Sequence, residues 1–427
     1  MAVPKTGTEL VLPEGFLMGA ATSAHQVEGN NVASDWWALE NAPETFVEVP
    51  SGDAADSYHR WPQDMDLLRE LGFNAYRFSI EWARVEPEPG RVSRAALAHY
   101  RAMVEGALAR GLTPVVTLHH FSSPRWFSER GGWRAPDAAE LFAGYTSTVL
   151  EILGGATRIA TLNEPNMVAL MYALRRYAAE HGWSALAQSR AEGGAAFSPA
   201  LISPDEVVTR TLIEAHQRSR DVLRGAGGGF EVGWTVANQV YHAEPGAEEV
   251  AAAYARPREE VFLEAARGDD WIGVQAYTRH RVGPDGPLPV PDGAPTTLTG
   301  WEVYPEALGE AVAHTVEVTG ADVPIVVTEN GIATGDDGAR IAYTHRALAS
   351  LAEQMRRGAD VRGYFHWSAL DNYEWGTFRP TFGLIGVDPV TFARTPKPSA
   401  RWLGALAAAG RIPDAAGADR PVPSAAR

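Results

Sequence analysis

Eight short apolar runs, each bounded by turn residues and separated from the next by helix-like sequence, leave this 427-residue chain very few possible folds. They cover 15–21, 74–80, 113–118, 157–162, 231–237, 271–277, 324–328 and 362–367. Strands apolar on both faces belong to parallel sheets covered by helices. Between them the spacing predicts helices over 61–71, 95–108, 138–153, 204–223, 259–266, 306–318 and 341–357, with Ser93 and Asp137 as N-caps. Eight such units predict an α/β architecture, a parallel sheet closed into a single (β/α)8 TIM barrel. An open doubly wound sheet is the alternative, but no Gly-rich phosphate-binding turn follows the first strand. No charged or low-complexity linker divides the interior. One domain is therefore expected over 1–410, with a flexible tail over 411–427, rich in Ala, Pro and Asp.

In such barrels chemistry sits at the C-terminal ends of the strands. Those ends carry Gln26, Arg77, His120, Asn163 with Glu164, Asn238, Tyr277, Glu329, and Trp367 followed by Glu374 and Trp375. Long loops are expected after strands four, five and six, over 166–203, 238–257 and 278–305, and would build the same rim. Any one polar residue at a strand end can be mere solvation. Eight ends carrying amides, aromatics and carboxylates together suit a polyhydroxylated ligand.

Two of these residues are the candidates for chemistry. Glu164 lies in Thr-Leu-Asn-Glu-Pro and Glu329 in Thr-Glu-Asn-Gly, each at the end of a buried run and each followed by residues that stop a strand. A carboxylic acid and a carboxylate facing one bond are the machinery of glycosidic hydrolysis. Arg77 would favour ionisation of a nearby carboxylate, and the Tyr277 hydroxyl can hydrogen-bond one. Of the thirteen tryptophans, Trp36, Trp126, Trp367 and Trp375 adjoin polar residues at strand ends. There they can stack on sugar rings or simply fill the core.

Composition removes other classes. A net charge of −16 argues against nucleic acid or anionic membrane as partner. With no cysteine there is no disulfide, thiol catalysis or zinc–thiolate site. His119 and His120 are adjacent, so a strand points them to opposite faces, and no HExxH occurs; no catalytic metal is expected. The first twelve residues lack a basic segment followed by an apolar core, and no run is long enough to span a bilayer, so a cytoplasmic protein is expected.

From about Phe16 to Trp402 the chain resembles the glycoside hydrolase family 1 β-glucosidases and β-glycosidases. The resemblance is carried by the segment Gly19 to Gly29 (GAATSAHQVEG), by Tyr76 to Ile80 (YRFSI), by both glutamate motifs and by Trp367 to Trp375 (WSALDNYEW). It extends to Trp301 to Pro305 (WEVYP). It implies cofactor-free retaining hydrolysis, with Glu164 at the acid/base position and Glu329 at the nucleophile position. It also implies that Gln26, His120, Asn163, Glu374 and Trp375 bind the hydroxyls of the terminal sugar, with Trp367 as the platform beneath its ring. Arg77 and Tyr277 match neighbours of the nucleophile, and Asn238 is placed with them as a candidate support. The chain departs from the common pattern at Phe121-Ser122, where Trp-Asp is usual, at Gln275-Ala276-Tyr277, where Asn-Tyr-Tyr is usual, and after Trp375.

Four other activities share this scaffold. A phospho-glycosidase would want cations in place of Glu374, and a myrosinase-like enzyme would lack the acid Glu164. A non-catalytic sugar-binding barrel would have lost a glutamate. A transglycosidase would use the same residues and differ in how well an acceptor competes with water.

Overall fold

The computed structural model describes residues 9–182 and 202–412. Eight parallel strands close into a barrel in chain order: β1 (Leu17–Ala21), β2 (Ala75–Ser79), β3 (Thr113–His119), β4 (Arg158–Asn163), β5 (Glu231–Ala237), β6 (Ile272–Gln275), β7 (Ile325–Asn330) and β8 (Val361–Trp367). β8 returns to pair with β1, from Gly363↔Leu17 to Trp367↔Ala21. Helices α1 (Ser57–Leu71), α2 (Arg94–Ala109), α3 (Ala138–Val149), α4 (Pro165–His181), α5 (Glu206–Gly225), α6 (Ala307–Thr319), α7 (Asp337–Arg356) and α8 (Pro398–Ala409) accompany the strands. None of the described helices is long and apolar enough to cross a membrane.

Two apolar cores result. The larger lies between the strands and the helices; the smaller includes Leu17, Ala75, Val115, Ala160, Val326 and Phe365. Small residues make room for the large ones. A Cβ on Gly19 would come within 2.8 Å of the Phe365 ring and 2.5 Å of the Ala75 carbonyl, so the close approach of β1, β2 and β8 requires glycine there. Pairing is irregular where functional side chains emerge, between Val327 and Glu329 of β7 against β6, and between Ala160 and Asn163 of β4 against β5. Such interruptions re-aim side chains at barrel rims.

The expected strands all form, within a few residues of the predicted limits. Several details differ. Residues 166–181, read as loop, belong to α4, which starts one residue earlier: Pro165 takes the first helical position, where its fixed φ is an advantage, and Val168, Ala169 and Ala173 bury one face. Residues 183–201 of that predicted loop lie outside the described residues. The helix expected over 259–266 begins at Glu248 and contains a π-helical turn, Arg256–Glu260, around Pro257. Ser93 caps α2 through Ala96 N, but Asp137 does not cap α3. Its backbone is not extended (φ −100, ψ 5), and its carboxylate instead takes Arg130 Nη2 at 2.5 Å. The first two residues of the predicted tail, Arg411–Ile412, pair with Leu10–Val11, and Ile412 is buried; residues 413–427 lie outside the described residues.

A buried ion pair fastens the antiparallel hairpin of Ile385–Val387 and Arg394–Pro396 to α1. Arg394 Nε donates to Asp64 Oδ1 at 2.7 Å, and its Nη2 reaches the Ala55 carbonyl at 2.8 Å. Both side chains are almost wholly buried. Asp64→Ala would strand a guanidinium in the core, and breaking such a pair costs about 3–5 kcal/mol. A fall in the urea midpoint with unchanged slope is the expected measurement, and Asp64→Asn should fall less.

Candidate active site

The irregular end of β7 presents Glu329 to the rim among three donors. Its Oε1 accepts Arg77 Nη1 at 2.6 Å and Gln275 Nε2 at 2.9 Å; its Oε2 accepts the Tyr277 hydroxyl at 2.6 Å. Arg77 is fully buried and braced by Thr117 Oγ1 (3.2 Å) and by Asn163 Oδ1 (2.5 Å). Burial raises the Glu329 carboxyl above its ordinary range, and Arg77, Tyr277 and Gln275 hold that rise back without cancelling it. Burial and the Glu329 charge hold the Tyr277 phenol well above its ordinary range, so it remains a donor.

Glu164 sits at the corner between β4 and α4 in the left-handed region (φ 45, ψ 58). A residue with a side chain is held there only by its surroundings. Here its N–H donates to the Thr235 carbonyl at 2.9 Å, while its own carbonyl accepts from Met167 and Val168 in the first turn of α4. The side chain is half-buried and has no hydrogen-bond partner among the described residues. Burial first, and then the charge of Glu329, push its carboxyl well above the ordinary range, with Arg77 opposing. The two carboxyls thus sense each other electrostatically while differing in support.

Asn163 links the donors around Glu329 to His120. Its Oδ1 accepts from Arg77, from Thr235 Oγ1 (2.9 Å) and from Gln275 Nε2 (2.9 Å), and its Nδ2 faces His120 Nε2 at 3.2 Å. The His120 ring stacks on Trp367 (5.8 Å, 19°) and on Trp375 (6.3 Å, 12°). Trp367 Nε1 donates to Glu374 Oε1 at 3.2 Å, and Gln26 Nε2 reaches Glu374 Oε2 at 3.5 Å. The stronger bonds of Gln26 go to the Tyr373 carbonyl (2.8 Å) and to Asn372 Oδ1 (3.1 Å), which locks the β1 loop to the segment after β8. Burial pushes the Glu374 carboxyl up to about 8. Gly331 allows this closeness, since a Cβ there would lie 2.0 Å from the Trp367 carbonyl.

Arg77, His120, Asn163, Tyr277, Glu329, Trp367, Glu374, Trp375 and Gln26 therefore form one connected set, with Glu164 beside it. Asn238 does not join it directly. Its Nδ2 donates to Glu259 (2.9 Å) and Thr315 (3.3 Å), because the π-helical turn brings Glu259 under the end of β5. Trp126 is a core residue, bonded to the Glu86 carbonyl and edge-on to Trp82. Trp36 packs on Trp375 at 4.7 Å. Gln275 was missed as a site residue. The signal was available: it stands two residues before Tyr277, on the same face of an extended chain.

The sequence profile described as Glycosyl hydrolase family 1 matches residues 8–192 and 280–411. A β-glucosidase from an Agrobacterium strain is 32% identical, over 92% of this chain and 95% of its own. A bifunctional β-D-glucosidase/β-D-fucosidase of Bifidobacterium breve is 30% identical, over 92% and 97%. Among solved structures, a β-glycosidase is 44% identical with a TM-score of 0.84, covering 93% of this chain and 97% of that one. The chain belongs to glycosyl hydrolase family 1, and it is a glycoside hydrolase.

Proposed function

We propose that the protein is a retaining exo-β-glycosidase, chiefly a β-glucosidase with tolerance for β-galactosides and β-fucosides, and that Glu329 is its nucleophile and Glu164 its acid/base. The observation that carries this reading is the unequal support of the two carboxyls. Glu329 receives three donors, one of them a guanidinium, which favour its carboxylate. Glu164 receives none among the described residues and is pushed up by burial and by its neighbour's charge. One is built to stay ionised and the other to carry a proton.

In the first step the Glu329 carboxylate attacks the anomeric carbon while Glu164 protonates the departing aglycone oxygen. In the second, Glu164, now a carboxylate, takes a proton from water, which attacks the same carbon and frees Glu329. In this reading Asn163, His120, Gln26, Glu374 and Trp375 hold the sugar hydroxyls, and Trp367 lies beneath the ring. Glu374 supports an unphosphorylated sugar, because neither form of a carboxyl supplies the cation that a phosphate needs. The relatives named for glucoside and fucoside cleavage support the same substrate class.

The test is a panel of nitrophenyl β-glucoside, β-galactoside, β-fucoside and 6-phospho-β-glucoside, with the anomer of the released sugar followed by NMR. The β-anomer should appear first, and glucoside should be cleaved fastest and the phosphorylated sugar slowest. An α-anomer as first product would overturn retention. Dominant transfer to an added alcohol at low concentration would make the protein a transglycosidase instead.

A further inference from the structure

We propose that Gln275 is a positioning residue which, together with Arg77, reserves Oε1 of Glu329 as the spectator oxygen and leaves Oε2 to form the bond to the sugar. This rests on Glu329 being the nucleophile, and it adds which of its oxygens reacts and what selects it.

A carboxylate oxygen offers two lone-pair directions. At Oε1 both are taken, by Arg77 Nη1 (2.6 Å) and Gln275 Nε2 (2.9 Å). At Oε2 only the Tyr277 hydroxyl is bound (2.6 Å), so one direction remains open among the described residues. As that free pair forms the new bond to the anomeric carbon, the bond to the aglycone breaks. The aglycone oxygen keeps the electron pair and takes the Glu164 proton. Oε1 then becomes the carbonyl oxygen of the glycosyl ester and remains an acceptor, so neither Arg77 nor Gln275 has to let go. Placed on the attacking oxygen, the same donors would have to be broken in the transition state.

The amide is fixed for this task. Gln275 is 1% exposed, and its Nε2 also reaches Asn163 Oδ1 (2.9 Å) and Thr235 Oγ1 (3.1 Å). Its Oε1 has no partner, so rotating the amide would exchange three acceptors for none and face an oxygen to the carboxylate. Asn238 holds the backbone behind it, accepting from Gln275 N at 3.2 Å and donating its own N–H to the Gln275 carbonyl at 2.7 Å. Asn238 therefore supports the nucleophile at one remove.

Two experiments test the assignment. In a crystal structure of the wild-type enzyme trapped with 2-deoxy-2-fluoro-β-glucosyl fluoride, the ester should lie on Oε2, with Gln275 Nε2 and Arg77 Nη1 still bonded to the carbonyl oxygen. An ester on Oε1 would overturn the proposal, whereas no ester on Glu329 would overturn the underlying reading. For Gln275→Leu, a donor to a charged group is lost while Arg77, Tyr277, Glu164 and Glu374 still face Glu329. The rate of ester formation should fall about 10–100-fold and the acid limb of kcat/KM should move up by about one pH unit. Gln275→Asn, with its amide one methylene short, should lie between. A folded Gln275→Leu enzyme with an unmoved acid limb would refute the role, since loss of packing alone would lower the rate without shifting that limb.

Discussion

Glu329→Ala is expected to lower kcat/KM on nitrophenyl β-glucoside on the order of 10⁴-fold or more, at least about 5.5 kcal/mol of transition-state stabilisation. The substitution removes the only anion bonded to Arg77 among the described residues, a guanidinium with no exposed surface. The remaining bonds of Arg77, to Asn163, Thr117 and the Thr328 carbonyl, leave its charge uncompensated. Added azide should therefore act twice. It can attack the anomeric carbon from the vacated face in place of Oε2, restoring turnover and yielding the α-glycosyl azide, inverted relative to substrate. As an anion beside Arg77 it should also raise the melting temperature of the variant more than that of the wild type, by linkage. Recovery of β-glycosyl azide from Glu329→Ala, or activity near that of the wild type, would remove Glu329 from the nucleophile's role.

The barrel was legible because parallel strands buried on both faces write themselves as unbroken apolar runs, and their turn residues mark the rim. The path of the chain beyond a strand end was less legible. Glu164-Pro165 reads equally as the start of a loop or of a helix, and burial of Val168, Ala169 and Ala173 against the barrel decides for the helix α4. The same limit explains Asn238 and Gln275. Both are amides at the ends of neighbouring strands, but only tertiary structure says which way each turns. The π-helical turn that puts Glu259 within reach takes Asn238 away from the carboxylates, while the two-residue period that links Gln275 to Tyr277 carries Gln275 to them. The two glutamates stood out because carboxylates at the ends of apolar strands are unusual on their own account.

Glu164→Ala is expected to separate substrates by leaving group. A nitrophenolate departs with little protonic help, so its ester-forming step should change only modestly. An alkyl glycoside or a cello-oligosaccharide needs the proton and should lose about 10²–10⁴-fold, the usual worth of general acid catalysis. The pH dependence comes from the raised carboxyl of Glu164. The acid must be protonated in the first step, so activity on poor leaving groups should be held at lower pH and lost as pH rises through its elevated pKa. Glu329 must be ionised, so the opposite limb falls as pH drops through its own. Glu164→Gln fixes the amide in one state and should erase the basic limb while leaving the acid limb in place. Because the Glu329 charge is one of the two causes that raise Glu164, Glu329→Gln should in turn lower the Glu164 pKa, which carboxyl titration by NMR or infrared difference spectroscopy would read directly. Equal losses of Glu164→Ala on nitrophenyl and alkyl glucosides, or a basic limb that survives Glu164→Gln, would place the proton donor elsewhere on the rim.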